Sequence, residues 1–210
     1  GSAHSGVNLW ATILAGDYLD NANWKLDSKD FVPILDNPTI EFWHWYHMES
    51  YWDGGNVKIS TDWGRTWQII TPVGGYPEDA VSSANAGIPG EAAYSGSSGG
   101  WQLAHFDLTG MAAGTFFRLR WHFGSDASIV YPGWYLDDVC GFGCEPVVFG
   151  AIHGTITDFN TGDSLEGAVV TSLTTGHSDT TDLSGYYYMV APPTSHDLRG
   201  MAPAYNSKDT

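Results

Sequence analysis

Within the segment Phe116–Phe123, apolar and polar side chains alternate without a break from Phe117 onward. Phe117, Leu119, Trp121 and Phe123 fall on one side of an extended chain, whereas the residues between them are two arginines and a histidine. Because successive side chains of a β-strand point to opposite faces, the pattern predicts a strand with one face in a core. No segment shows a sustained helical period, so we expect an all-β protein.

The segment from Glu41 to Glu49 has aromatic residues on both of its faces, which predicts a central strand covered on both sides. The chain also has 10 Trp, 11 Tyr and 9 Phe together with 26 Gly and 10 Pro, which favours short strands joined by tight turns. With 210 residues it is long enough for one large β-sandwich or two smaller domains.

The net charge of −16, from 24 acidic and 8 basic residues, argues against nucleic acid as a partner because phosphates would be repelled. An acidic surface favours divalent cations, although solubility alone also explains the charge. No stretch approaches the roughly 20 apolar residues that span a bilayer, and the first residues have no apolar signal core. We interpret residues 1–6 as a tag or linker remnant.

Aromatic residues become fewer and Thr, Ser and Gly more frequent after about residue 145. We therefore predict a first domain at residues 7–145 and a second at residues 146–210. In the second segment the patterns predict a small β-sandwich with strands near Gly150–Asp158, Ala168–Leu173 and Tyr186–Val190 and turns at Asn160–Asp163 and Asp182–Gly185.

Four acids are candidate metal ligands. Glu49 and Asp53 lie at a strand end and in a glycine-rich loop, and Asp137 and Asp138 lie on a late strand. Calcium prefers six to eight oxygen ligands from carboxylates and loop carbonyls. Spacing alone leaves solvated loop acids as the alternative. Since neighbours on a strand face opposite sides, at most one of Asp137 and Asp138 is expected to point at a given ion.

The sequence motifs of this chain give little support for catalysis. Gly96–Gly100 formally matches the hydrolase pattern G-x-S-x-G, but Trp101–Leu108 reads as a strand where that motif needs a helix, so we expect Ser98 to be a loop residue. His44 and His47 fall on opposite faces of a strand and cannot share one ion. The sequence has no zinc-protease, Walker or dinucleotide motif, and we expect no enzyme activity.

Ser60–Trp67 fits the Asp-box pattern S-x-D-x-G-x-T-W, which we interpret as a structural hairpin. Cys140 and Cys144 are separated by Gly-Phe-Gly and predict a small disulfide loop, with a pair of reduced thiols as the alternative. Aromatic residues in or beside loops can stack on sugar rings or on a protein partner, or pack at the rim of the core. These candidate ligand-binding residues are Tyr51, Trp52, Trp63, Tyr94 and Trp101.

Residues 7–143 resemble a known family in several separated motifs that occur in order: Asn21–Trp24, Phe42–Tyr46, Asp53–Asp62, Tyr94–Trp101 and Tyr131–Val139. The resemblance is to the MAM-like jelly-roll domains appended to secreted bacterial peptidases of the immune-inhibitor-A type and to other large surface proteins. It implies a non-catalytic jelly roll with a structural calcium ion held by Glu49, Asp53 and Asp137 or Asp138.

The second segment is similar to the carboxypeptidase-regulatory-like spacer, an Ig-like or prealbumin-like sandwich, through Gly154–Asp158, Gly162–Val170 and Asp182–Tyr186. Such domains close with another strand after a turn that corresponds to Ala204–Asn206. Because this sequence stops at Thr210, we expect the sandwich to be incomplete, or its last strand to come from elsewhere in the parent or from another molecule.

Our hypothesis from the sequence is a non-catalytic binding or spacer module of a larger secreted or cell-surface bacterial protein, stabilised by calcium. Its expected partners are neighbouring domains, a glycan or protein at the loop aromatics, and another copy at an open strand edge. The alternatives are a carbohydrate-binding module and a structural subunit of a surface filament. A hydrolase has the least support.

Overall fold

The computed structural model describes residues 2–142, 144–146, 150–191, 195–202 and 208–209, with the backbone alone for 142, 144–146 and 208–209. The chain divides into two compact units, Gly1–Pro146 and Val147–Thr210. Every regular element of the described residues is a β-strand, so the predicted all-β class is confirmed. Within the described ranges there is no helix with the length and apolar character needed to cross a membrane.

The described residues of the first unit form ten strands in three antiparallel sheets. The two four-stranded sheets have the orders β1-β9-β4-β7 and β2-β8-β5-β6, and β3 pairs with β10. The strands are β1 (Trp10–Ala11), β2 (Asn23–Asp27), β3 (Phe31–Pro33), β4 (Thr39–His47), β5 (Gly54–Ser60), β6 (Gln68–Ile70), β7 (Gln102–Asp107), β8 (Arg118–Gly124), β9 (Gly133–Phe142) and β10 (Cys144–Pro146).

The order of the strands is that of a jelly roll. The first strand of the sandwich lies beside the last one, with Trp10 opposite Leu136, and the connections from β4 to β5 and from β8 to β9 pass from one four-stranded sheet to the other. Eight strands in two sheets with this interleaved order are the jelly-roll arrangement.

The core lies between the two four-stranded sheets. Phe42 of β4 stacks on Phe106 of β7 within one sheet and meets Trp121 of β8 edge-to-face from the other, with ring centroids 5.6–5.8 Å apart. The predicted strand at Phe116–Phe123 is observed as β8, in which Leu119, Trp121 and Phe123 are buried. Aromatic pairs in these arrangements contribute about 0.5–1.5 kcal/mol each beyond the area that they bury.

Strand β4 is central, as predicted, with β9 on one side and β7 on the other. Its burial alternates along its length, since every second side chain from Ile40 is buried and those between are half-buried. One face therefore belongs to the core and the other, which carries Trp43 and Trp45, is only partly covered. The expectation that both faces are covered is thus met fully on one face and in part on the other.

Gly55 of β5 allows the two sheets to approach closely. A Cβ atom at this position would lie 2.3 Å from Cε3 of the Trp134 ring on β9. Because no real contact is that short, a side chain here would force the indole or the strand to move. The absence of a Cβ at Gly55 thus determines how Trp134 packs in the core.

The second unit is a small β-sandwich of two sheets, with the orders β11-β14 and β13-β12-β15-β16. Its buried core consists of Val170, Tyr187 and Met189, with Ile152 and Ile156 packed against them. The strands are β11 (Gly150–Thr155), β12 (Val169–Ser172), β13 (Ser178–Thr180), β14 (Tyr186–Ala191), β15 (Leu198–Met201) and β16 (Lys208–Asp209).

The predicted turn at Ala204–Asn206 and the last residue, Thr210, lie outside the described residues. Of the end of the chain the structure describes β16, which pairs antiparallel with β15 through Arg199–Asp209 and Gly200–Lys208. Completion of this sandwich by a strand from elsewhere stays a prediction.

Candidate metal centre

Three acidic residues come together at one end of the jelly roll, because the turn from β4 leads into β5 and β5 pairs with β8. Glu49 and Asp53 belong to the turn between the end of β4 at His47 and the start of β5 at Gly54. The register of β5 on β8 places Gly54 opposite Gly124, and Asp126 follows two residues later. The adjacent ends of antiparallel strands thus place residues that are 73 apart in sequence side by side.

The ligand atoms of Glu49, Asp53 and Asp126 all lie within 4.8 Å of one another. Asp53 is fully buried, Asp126 is 8% exposed and Glu49 is half-buried. The backbone N–H of Asp126 donates to Oδ1 of Asp53 at 2.8 Å, and the hydroxyl of Tyr18 donates to Oδ2. The same hydroxyl accepts the backbone N–H of Glu49 at 3.1 Å, so Tyr18 joins both loop acids.

The turn that carries the acids is held by Ser95. Its hydroxyl donates to the backbone carbonyl of Asp53 at 2.6 Å and accepts the backbone N–H of Tyr51 at 2.9 Å. Tyr51 adopts a φ of 72°, in the left-handed region that costs a non-glycine residue about 1–3 kcal/mol. The surrounding hydrogen bonds hold this strained turn, which keeps Glu49 and Asp53 on the same side.

Mutual repulsion makes this arrangement unfavourable without a counter-charge. Two unit charges 4.8 Å apart repel by about 3 kcal/mol at an effective dielectric constant of 20, and three such pairs by about 10 kcal/mol. That sum is comparable to the net stability of a typical domain, about 5–15 kcal/mol. None of the ion pairs among the described residues involves these acids, so no lysine or arginine relieves the repulsion there.

Proton uptake can relieve the repulsion only at acidic pH. Burial, with the neighbouring Asp126 and Glu49 carboxylates adding to it, raises the pKa of Asp53 to about 6. Burial and the Asp126 carboxylate also raise the pKa of Glu49. Burial and the hydrogen bond to Asp53 raise the pKa of the Tyr18 hydroxyl, which therefore stays a donor. At neutral pH Asp53 is ionised, so the repulsion persists there, and a bound cation would neutralise it.

One ligand atom of the group has no partner. Oε2 of Glu49 is buried and makes no hydrogen bond to any residue that the structure describes. Leaving a buried carboxylate oxygen unsatisfied costs at least about 1–3 kcal/mol, and more for a charged group. Three carboxylates with a buried, unpartnered oxygen fit a hard cation, and this group can hold a metal ion.

Asp137 and Asp138 are not part of this group. Asp137 lies opposite Trp43 in the β4–β9 ladder, six residues before Glu49, which corresponds to about 20 Å along a strand. The structure therefore replaces both predicted ligands by Asp126. The expectation that they face opposite sides is also corrected, because a β-bulge with Asp138 at a φ of 49° lets both carboxylates bond Ser5.

The five candidate ligand-binding aromatics are not gathered in one place. Tyr51 and Trp52 are exposed at the turn of the metal centre, whereas Trp63 stacks on Phe116 in the Asp-box hairpin. Trp101 is half-buried beside His4. Tyr94 is 6% exposed and packs in the core, with its ring centroid 4.3 Å from that of His44, so its predicted role as a surface stacking residue is wrong.

The Asp-box forms the hairpin that its pattern predicts. Asp62 accepts both the backbone N–H and the hydroxyl of Thr66, at 2.9 and 2.6 Å, and the Trp67 indole donates to the carbonyl of Gly64 at 3.0 Å. These bonds lower the pKa of Asp62 to about 2. The Asp62 carboxylate therefore stabilises the turn of the hairpin.

The predicted disulfide is not tested by the described residues. Cys140 is exposed, and the pKa of its thiol is raised by partial burial and by the nearby Glu41 and Asp138 carboxylates. The side chain of Cys144 lies outside the described part of the chain. Pairing of the two cysteines stays a prediction.

Comparison with known proteins shows a distant similarity over part of the chain. No protein-family model matches the sequence. Bacillopeptidase F of Bacillus subtilis (strain 168) is 26% identical over 139 residues, which cover 66% of this chain and 8% of the relative. The chain is therefore similar to a small part of a much longer protein whose name describes a peptidase.

Proposed function

We propose that this chain is a non-catalytic accessory module of a larger extracellular protein and that a structural calcium ion stabilises its MAM-like jelly roll. The observation that carries the proposal is the group of Glu49, Asp53 and Asp126 with the buried, unpartnered Oε2 of Glu49. The cation would join the β4–β5 turn to the loop after β8. Its binding free energy would then add to the stability of the folded unit.

The donor set favours calcium over transition metals. All three side chains offer carboxylate oxygens, and no histidine or cysteine belongs to the group. Zinc prefers nitrogen and sulfur ligands in a tetrahedral site, whereas calcium accepts oxygens in a flexible geometry. Magnesium demands near-ideal octahedral geometry, which a strained turn is poorly suited to provide.

A role as an accessory module, without catalysis, agrees with two observations. The similar segment of Bacillopeptidase F makes up only 8% of that protein, so most of the relative lies outside it. Ser98, the serine of the hydrolase-like pattern, exchanges hydrogen bonds with the backbone of Tyr46 at 3.0 and 3.2 Å, which gives it a structural role. An extracellular location and neighbouring domains as partners belong to the same proposal.

Calorimetry of the full chain in calcium, magnesium and EDTA tests the calcium ion. We expect calcium at 100 times its Kd to stabilise the unit by about 2.7 kcal/mol, which corresponds to a rise in Tm of about 5–10 °C. The Glu49→Gln variant should lose most of this response, because it removes the charge beside the ion and preserves the size of the side chain. The Asp138→Asn variant, which removes one acid elsewhere, should keep it.

The outcomes separate a structural ion from a general effect of charge. A wild-type Tm that is the same in calcium and in EDTA would contradict the calcium proposal. A response lost equally in the Glu49→Gln and Asp138→Asn variants would show that the ion acts through the net charge of the chain. In EDTA we expect Glu49→Gln to be at least as stable as the wild type, because the repulsion is smaller.

A glycan-binding role is a second candidate, favoured by the exposure of Tyr51 and Trp52 at 48% and 40% on the turn of the metal centre. Their rings lie edge-to-face, with interplanar angle 80°, so one of them at a time can present a flat face to a sugar. Glycan arrays with Trp52→Ala should show reduced binding. Trp63→Ala is the matched control, because its ring is stacked on Phe116. Binding that is absent, or unchanged in Trp52→Ala, would remove this candidate.

A further inference from the structure

A pocket on the outer face of the β1-β9-β4-β7 sheet holds the imidazole ring of His4. The ring stacks on Trp43, with centroids 3.9 Å apart and planes at 11°, and lies edge-on to Trp101 at 5.7 Å. Its Nδ1 lies 2.8 Å from Oδ2 of Asp138. The planar imidazole of His4 thus contacts an aromatic face, an aromatic edge and a carboxylate. We call the site formed by Trp43, Trp101, Asp137 and Asp138 the His4 pocket.

The residue after His4 is also bound in the pocket. The Ser5 hydroxyl donates to Oδ1 of Asp138 at 2.5 Å, and its backbone N–H donates to Oδ2 of Asp137 at 3.1 Å. Asp137 is only 6% exposed, so its carboxylate is a fixed acceptor rather than a solvated surface group. The bulge at Asp138 is what directs the two consecutive carboxylates to one peptide segment.

The charges of the two sheets favour a cation at this face. No lysine or arginine occurs in β1, β4, β7 or β9, whereas the opposite sheet carries Lys25, Lys58, Arg118 and Arg120. The acids on the outer face of the His4 sheet therefore attract positive charge with no lysine or arginine of these four strands to compete. A cation over an indole face also gains from the quadrupole of the ring.

There is room for more than His4 and Ser5. A groove of about 420 Å³ on one side is lined by Trp45, Trp101 and Tyr135 among others. A second groove of about 430 Å³ lies beside Trp10, Asp137 and Asp138. Aromatic and acidic walls therefore continue on both sides of the contact that His4 makes.

We propose that the His4 pocket binds a positively charged side chain of a partner polypeptide, followed by a small residue that donates hydrogen bonds to the paired carboxylates. In this chain His4 and Ser5 are a tethered occupant that competes with the partner. The site lies on a different face from the turn of the metal centre and does not depend on the calcium ion.

Trp-indole NMR of the full chain with His4→Ala tests the site, because this variant vacates the pocket. The probe is the peptide acetyl-Ala-His-Ser-Gly-amide and its lysine analogue, each titrated to about 10 mM, since a tethered occupant acts at an effective concentration on the order of mM. We expect the indole N–H signals of Trp43 and Trp101 to shift in the variant. In the wild type the shifts should require at least fivefold more peptide.

Matched controls define what would overturn the proposal. The analogue with alanine in place of histidine should not shift these signals, and adding Asp138→Asn to His4→Ala should weaken binding at least fivefold. Adding Asp107→Asn instead removes an exposed acid of the same sheet that does not touch His4, and should change binding less than twofold. No shift with the lysine peptide in His4→Ala at 10 mM, or equal shifts with the lysine and alanine peptides, would show that the pocket does not select a cation.

Discussion

The indole Nε1–H of Trp134 donates a hydrogen bond of 3.2 Å to Nδ1 of His44 in the core of the jelly roll. Since an indole N–H is only a donor, Nδ1 must be unprotonated and His44 is held as the neutral tautomer with its proton on Nε2. Only 1% of His44 is exposed, and this burial lowers its pKa to about 4. A neutral histidine is therefore a condition for the packing of the β4–β9 pair.

Acid should weaken the fold through His44. Between the unfolded pKa of about 6.5 and the folded pKa of about 4 the unfolded state binds more protons, so stability falls as the pH falls through this window. The full shift corresponds to roughly 3 kcal/mol. Urea unfolding at pH 7, 5.5 and 4.5 should show a smaller loss in His44→Gln, whose amide oxygen can still accept from Trp134.

The matched control for His44 is His153→Gln, which changes an exposed histidine of the second unit. It should show the wild-type dependence on pH. His122 also contributes to the wild-type loss, because burial and nearby lysines lower its pKa to about 4. Equal pH slopes in wild type and His44→Gln would contradict the role assigned to His44.

His105 should act in the opposite direction. Its ring lies between Glu41, 2.7 Å from Nδ1, and Asp107, 2.8 Å from Nε2, and hydrogen bonds to Glu41 first and Asp107 second raise its pKa. Its stabilising effect is complete below the unfolded pKa of about 6.5 and is lost as the pH rises through the higher folded value. His105→Gln should lower stability at pH 6, by less than about 1 kcal/mol for such an exposed pair, and leave it unchanged at pH 9. A loss of equal size at both pH values would exclude this electrostatic role.

Gly55→Ala should destabilise the first unit. The new Cβ would lie 2.3 Å from the Trp134 ring, and overpacking of this kind costs about 1–3 kcal/mol or more. Thermal unfolding should show a Tm several degrees lower. Gly100→Ala is the control, since a Cβ there has no neighbour within 4 Å, and it should leave Tm unchanged or slightly higher.

Two similar ion pairs should differ in their contribution because they differ in burial. Asp30 is 2% exposed and pairs with Arg118 through Nε and Nη2 at 2.5 and 3.0 Å, whereas Asp27 pairs with Arg120 at 2.6 and 2.7 Å with 35% of its side chain exposed. Asp30→Ala should cost about 1.5–3 kcal/mol, because it removes two charge-assisted hydrogen bonds that a buried carboxylate accepts. Asp27→Ala should cost about 1 kcal/mol or less. Chemical denaturation measures both, and equal costs would show that burial does not decide their contribution.

The strands could be predicted from the sequence because the alternation of apolar and polar residues is a local pattern. Alternation placed Leu119, Trp121 and Phe123 on one face of β8, and the structure buries all three. The sequence does not predict where the pairing of two strands becomes irregular. The bulge at Asp138 needs two residues of β9 opposite one position of β4, and no spacing in the sequence announces it.

The candidate metal centre was predicted in part for the same reason. Glu49 and Asp53 share the short turn between β4 and β5, so their proximity follows from one local segment. Asp126 requires the register of β5 on β8, which depends on packing across the sandwich. The sequence nonetheless contains a pattern that points to Asp126. Gly124-Ser125-Asp126 directly follows a predicted strand and has the composition of a loop that binds a cation. Tyr94 lies outside the regular strands, as expected, but the structure buries it, because its bridge to Gly55 brings this segment against the core.

The pairing of β1 with β9 has a mechanical consequence. Trp10 and Ala11 lie antiparallel to Leu136 and Tyr135, so the chain enters the jelly roll at the same end of this pair at which it leaves. A force applied between the two flanking segments would open the pair one hydrogen bond at a time, as a zipper, rather than shear all of its bonds together. The β1–β9 pairing involves only two residue positions, so few hydrogen bonds resist such a force.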